Sequence, residues 1–187
     1  MSNSTITPTR RDLSVSMFEA NLYALVATAP PVMLTVIGYG LLLGFSELGR
    51  GAATLFNNFF VFMVVLILGV VVHELLHGLT WALAGGNRWR TIRFGFQLKT
   101  LTPYAHSTEP LEVNACRIGV LMPGLLTGLV PSLIGVMSGN GLLTAFGIVF
   151  TVAAGGDFLI LWLLRNVRPG TLVEDHPERA GCYVLER

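Results

Sequence analysis

The sequence predicts an all-α polytopic membrane protein with about four transmembrane helices and a small β-hairpin at the cytoplasmic interface. Three observations carry this reading. Hydrophobic residues make up 52% of the chain and charged residues only 12%. The apolar residues gather in four long runs, and a helix needs about 20 such residues to cross a bilayer. Between the second and third runs, the stretch around Phe94 alternates apolar and polar residues with the period of a strand. The 187 residues suffice for a single membrane-embedded domain, 1–187, with 1–20 and 170–187 as cytoplasmic tails. A net charge of +1 supplies no bulk field that would attract nucleic acid. Cys116 and Cys182 form no CxxC and read as two free thiols.

The first run spans about Leu22 to Phe45 and should bend at Pro30-Pro31. The preceding Thr9-Arg10-Arg11-Asp12-Leu13 resembles a twin-arginine export signal, and Ala27-Thr28-Ala29 resembles a cleavage site. A signal's apolar core stops far sooner than Phe45, so the run is an uncleaved helix anchored by Arg10 and Arg11. The second run spans about Leu55 to Ala84 and stops at Gly85-Gly86.

Next comes a loop in which Ile92, Phe94, Phe96 and Leu98 alternate with Arg93, Gly95, Gln97 and Lys99. Thr100 to Ser107 returns as the hairpin partner, limited by Pro103. Such a hairpin either caps the bundle or offers a strand edge to a peptide. The third run spans about Ile118 to Met137. Its Gly124, Gly128 and Gly135 allow close helix approach, and Pro123 and Pro131 free carbonyls that need another partner. The tight turn Ser138-Gly139-Asn140-Gly141 leads to the fourth run, about Leu142 to Leu164.

Arginine and lysine orient the bundle. The N-terminal tail holds Arg10 and Arg11. The middle loop holds Arg88, Arg90, Arg93, Lys99 and Arg117, and the C-terminal tail opens with Arg165 and Arg168. The opposite loops hold only Arg50, so both termini and the middle loop are expected in the cytoplasm.

The chemistry is in the second run, where Val71-Val72-His73-Glu74-Leu75-Leu76-His77 contains an HExxH motif. Ionisable groups at membrane depth are costly, and they mark functional positions. On a helix His73 and His77 share one face a turn apart and can bind one Zn2+. Glu74 is then placed as general base for the attacking water.

Catalytic zinc has three protein ligands and an open position. Asp157, in Ala153-Ala154-Gly155-Gly156-Asp157-Phe158, is the carboxylate of the fourth run. His77 lies eight residues before Gly85 and Asp157 eight before Arg165, on helices running the same way. Both then sit roughly 12 Å from their cytoplasmic ends. His106, Glu109 and Glu112 in the middle loop are rival ligands, and Glu174-Asp175-His176 reads as a solvated end.

HELLHG, FGFQLKTLTPYAH, RIGVLMPG, AAGGDFLILWLL and VEDHPERAGCYV together resemble the small bacterial membrane proteins described as "putative zincin peptidase". The likeness covers about Phe60 to Val184. A more distant similarity is to the site-2 protease clan of intramembrane metalloproteases. There, HExxH in one span is followed by a membrane-associated hairpin, a Gly/Pro-bearing span and an aspartate in a later span. The resemblance implies His73 and His77 as ligands, Glu74 as base and Asp157 as third ligand. In that clan glycine usually follows the ligand aspartate, whereas here Phe158 follows and glycines precede.

The expected function is therefore a zinc-dependent membrane metalloprotease of the bacterial cytoplasmic membrane, cleaving membrane-associated peptides near the cytoplasmic face. The alternatives are a non-enzymatic or degenerate metal-binding membrane protein and a zinc hydrolase with a non-peptide substrate. A closed fourth ligand such as His106 would favour the non-enzymatic alternative.

Overall fold

The structure, a computed structural model, describes residues 9–86, 89–97 and 102–186. In chain order the elements begin with β1 (Thr9–Val15), α1 (Met17–Leu43), α2 (Phe45–Phe56) and α3 (Phe59–Ala84). A 3-10 turn precedes β2 (Ile92–Gln97), β3 (Thr102–Ser107), β4 (Leu111–Glu112) and α4 (Val113–Pro123). A π-helical segment, Gly124–Leu129, joins α4 to α5 (Val130–Ser138). Then come α6 (Gly141–Ala153), α7 (Gly155–Leu164), β5 (Leu172–Asp175) and β6 (Ala180–Glu186). Arg88, Leu98, Lys99 and Thr100, used above for orientation and for the hairpin, lie outside the described residues.

Three helical stretches are long and apolar enough to cross a membrane: Met17–Leu43, Phe59–Ala84 and Val113–Ser138. Taken together, α6 and α7, which meet at a bend of 49°, form a fourth stretch that is long and apolar enough. The expected spans are thus present with shifted ends, and local capping explains the shifts. Ser16 and Glu19 form a reciprocal capping box, which starts α1 at Met17 instead of Leu22. Asn58 accepts from the Val61 amide at 3.1 Å and starts α3 there, not at Leu55. Residues 45–56, read as span ends and a loop, instead form the separate helix α2, which packs on α6. Glycines allow that contact: a Cβ on Gly51 would strike the Gly141 backbone. Asn140 caps α6 by accepting from the Leu143 amide, and Gly139 supplies the positive φ of the expected turn.

The larger departure from an all-α reading is at the ends of the chain. Both tails become strands of a four-stranded antiparallel sheet, ordered β1-β6-β5-β4. Thr9 pairs with Glu186 and Val15 with Ala180. One face covers a core of Val113, Cys116, Leu164, Val167, Val173, Cys182 and Val184 at the ends of α4 and α7. The ion pair Arg10–Glu174 (3.1 Å) lies on the other face, whereas Arg11–Glu186 (3.0 Å), in register with Val184, lies at the margin of the core face; both are solvent-accessible and add little stability. Glu174, Asp175 and His176 are therefore not a free end. The first two belong to β5. The His176 side chain is 8% exposed and its Nδ1 accepts from the Glu178 and Arg179 amides.

The expected hairpin is present as β2 and β3, with Phe94 opposite Ala105. It lies along α3. Gly78 has no side chain there, and a Cβ at that position would meet the Phe94 ring and approach Ile92 Cγ2 at 3.1 Å. Of the alternating apolar set, Ile92 is buried while Phe94 and Phe96 remain exposed.

Candidate metal centre

His73 and His77 face the bundle from α3, both buried in a helix otherwise rich in exposed apolar side chains. Their rings sit 5.0 Å apart, as i, i+4 spacing dictates. Asp157 arrives from the first turn of α7, immediately after the α6–α7 break. That break matters in two ways. It turns Asp157 toward α3, and it places the carboxylate at a helix start, where the dipole favours negative charge. Close approach of this region relies on small residues. Gly155 packs on Ala24 of α1, and Gly124 of the π segment packs on Ala154 and Phe158.

The three groups converge. His73 Nε2 is 3.0 Å from Asp157 Oδ2, and His77 Nε2 is 3.2 Å from Asp157 Oδ1. Among the described residues these form the group of His, Cys, Asp or Glu able to hold a metal ion, with ligand atoms within 4.8 Å of one another. The donor set fits zinc. His77 Nδ1 lies 3.0 Å from the Gly119 carbonyl, which can only accept, so Nδ1 carries the proton. Nε2 of the neutral ring then points a lone pair at a carboxylate oxygen. Two such acceptors face each other stably only with a cation or proton between them. Asp157 Oδ2 and His73 Nδ1 are both buried without a hydrogen-bond partner.

Around this trio stand supporting groups that sequence reading did not single out. Trp81, four residues after His77, stacks on its ring at 5.0 Å and 19°, and its Nε1–H reaches the Cys116 carbonyl at 3.4 Å. Repetition of the i, i+4 step through His73, His77 and Trp81 was the available signal. Glu74 is half-buried, near both histidines and Asp157 and beside the backbone N–H of Ala105 in β3. The hairpin therefore reaches the level of the motif instead of only capping the helix end. Ala105 also lines a groove between β3 and the β5–β6 turn, shared with Tyr104, His106, Glu174 and Asp175. The Asp175 carboxyl keeps an exposed face, yet the concave surroundings desolvate it and push it above the ordinary carboxylate range.

The rival ligands go elsewhere. Glu112 caps α4, accepting from the Asn114 and Ala115 amides, and also takes the Gly170 amide at 2.7 Å. Glu109 lies exposed in the turn after β3, and His106 lies partly buried beside Tyr104.

Fold and site together define a membrane-compatible helical protein with a two-histidine, one-carboxylate centre. A family model described as "Putative zincin peptidase" matches residues 66–172, more than half of the chain, and the protein belongs to that family. No curated protein and no solved structure matches the chain.

Proposed function

We propose that this protein is a zinc-dependent membrane metalloprotease that hydrolyses membrane-associated peptides near the cytoplasmic face. The observation that carries the reading is the convergence of His73, His77 and Asp157 beside Glu74. His73, His77 and Asp157 would hold Zn2+. The ion, when bound, polarises a scissile carbonyl and makes water more acidic. Glu74 accepts the proton of the attacking water and hands it to the leaving amine. The neighbouring Ala105 N–H would orient the Glu74 carboxylate for that exchange. An extended peptide laid along the groove beside β3 would reach the centre, since Ala105 belongs to both. The two-histidine, one-aspartate arrangement is the one that the site-2 protease likeness implies, and it leaves a coordination position for water or substrate. Zinc binding by a Glu74→Gln variant that has lost peptide hydrolysis is the expected result. Near wild-type turnover in that variant would remove Glu74 as base. Stoichiometric metal in a His73→Ala/His77→Ala variant would remove the site itself.

A further inference from the structure

An α-helical residue at 123 would donate its N–H to the carbonyl of residue 119, four positions earlier. Pro123 has no N–H to give. The Gly119 carbonyl is thus left without its ladder donor, and it is this carbonyl that stands 3.0 Å from His77 Nδ1. Gly119 also lacks a Cβ, and one there would collide with the Trp81 indole. The imidazole of His77 and the indole stacked on it therefore both reach the α4 backbone at the same turn. His73 has no such anchor, because its Nδ1 is buried without a partner.

We propose that Pro123 is a positioning residue for the metal centre. By freeing the Gly119 carbonyl it provides a fixed acceptor for His77 Nδ1–H, and so commits His77 to presenting Nε2 toward Asp157. The consequence for affinity rests on the proposed ligand role of His77, whereas the consequence for the tautomer does not. An N–H restored at 123 would take up the ladder bond and weaken Gly119 as acceptor for the ring. Outer-shell partners of this kind are worth about 10–100-fold in metal affinity, and sharing an acceptor should fall near the lower end, about tenfold.

The test uses the full chain in nanodiscs, labelled with 15N-histidine and stripped of metal, with the His77 signals identified by their loss in His77→Gln. Wild type should show His77 Nδ1 protonated and hydrogen-bonded, with a proton shared between Nε2 and Asp157 in place of the metal. Pro123→Ala should show a mixture and bind zinc about tenfold more weakly. Its metal-free thermal midpoint should be equal or higher, because proline inside a helix is unfavourable. Weaker metal binding in an equally stable protein is a result that a merely structural proline would not give. Pro131→Ala, a proline removed from the same span away from His77, should leave zinc affinity unchanged. A wild-type His77 whose Nδ1 carries no proton overturns the proposal, whether or not Pro123→Ala folds. Wild-type zinc affinity in a folded Pro123→Ala protein overturns it as well. A wild-type chain that holds the Nδ1–H tautomer but binds no zinc supports the positioning and sinks the metalloprotease reading.

Discussion

At the scale of single residues, the centre depends on three side chains drawn from two helices and on the glycines that let those helices meet. Asp157 contributes the only carboxylate of the trio, and its Oδ2 is buried without a hydrogen-bond partner. Removing one of three ligands forfeits a large share of a binding energy of about 10 kcal/mol or more. Asp157→Ala should therefore lose zinc by several kcal/mol in isothermal titration, or lose it entirely. Unchanged affinity would return the third ligand to the middle loop. Spacing alone identified His73, Glu74 and His77, because the i, i+4 rule acts within one helix. Matched depth pointed to Asp157. For Trp81 the repeated i, i+4 step was the one local signal, and nothing local pointed to Gly119, since its part depends on which face of α4 meets α3.

At the scale of elements, the hairpin and the terminal sheet give two expectations. Gly78 is the position where β2 lies on α3, and a methyl group there would push against Phe94 and Ile92. Gly78→Ala should displace β2–β3, carry Ala105 away from Glu74 and lower peptide hydrolysis by about tenfold or more, as misplacement near a site does. Zinc content should be unaffected, because His73, His77 and Asp157 lie on α3 and α7. Zinc lost in parallel with activity would mean that the hairpin supports the ligands instead.

In the sheet, Cys182 of β6 is 2% exposed, and burial pushes its thiol up to about 12. The folded thiol stays neutral to about 12, while the unfolded thiol ionises near its ordinary value of 9.0. Stability from this group is therefore fully present below the unfolded value and is lost as pH climbs toward the folded one. Maleimide at neutral pH should label Cys182 only after denaturation, and thermal stability should fall under alkaline conditions. Rapid labelling of the native protein would show that β1 and β5 do not protect β6.

At the scale of the whole molecule, the sheet restricts the topology. Its strands come from the N-terminal segment, the end of the middle loop and the C-terminal segment. Segments that share one sheet must share one side of any membrane that the helices cross. Two crossings then fit between β1 and β4, by α1 and α3. Two more fit between β4 and β5, by α4–α5 and by the bent pair α6–α7. By the positive-inside rule, the arginine distribution predicts the cytoplasmic side for the sheet. Reporter fusions at either end should read as cytoplasmic, and single cysteines in α2 should label from outside. Opposite sides for the two termini would be incompatible with the pairing of Thr9 with Glu186.

The sequence by itself determined the membrane class, the helical runs, the hairpin and the HExxH face. Each of these follows from a period or a composition that acts within one segment. Only the tertiary structure decided that the tails pair, that α6–α7 breaks just before Asp157, and that Gly119 answers His77. Strand pairing between residues 9–15 and 180–186 leaves only weak local marks, since Arg10, Arg11 and Asp12 at one end and Glu186 at the other read as solvated charge. Their alignment depends on where four helices deliver the chain ends. The metal centre has the same origin: its two histidines come from one turn of helix, but its carboxylate is brought to them by packing across the 79 residues that separate Asp157 from His77.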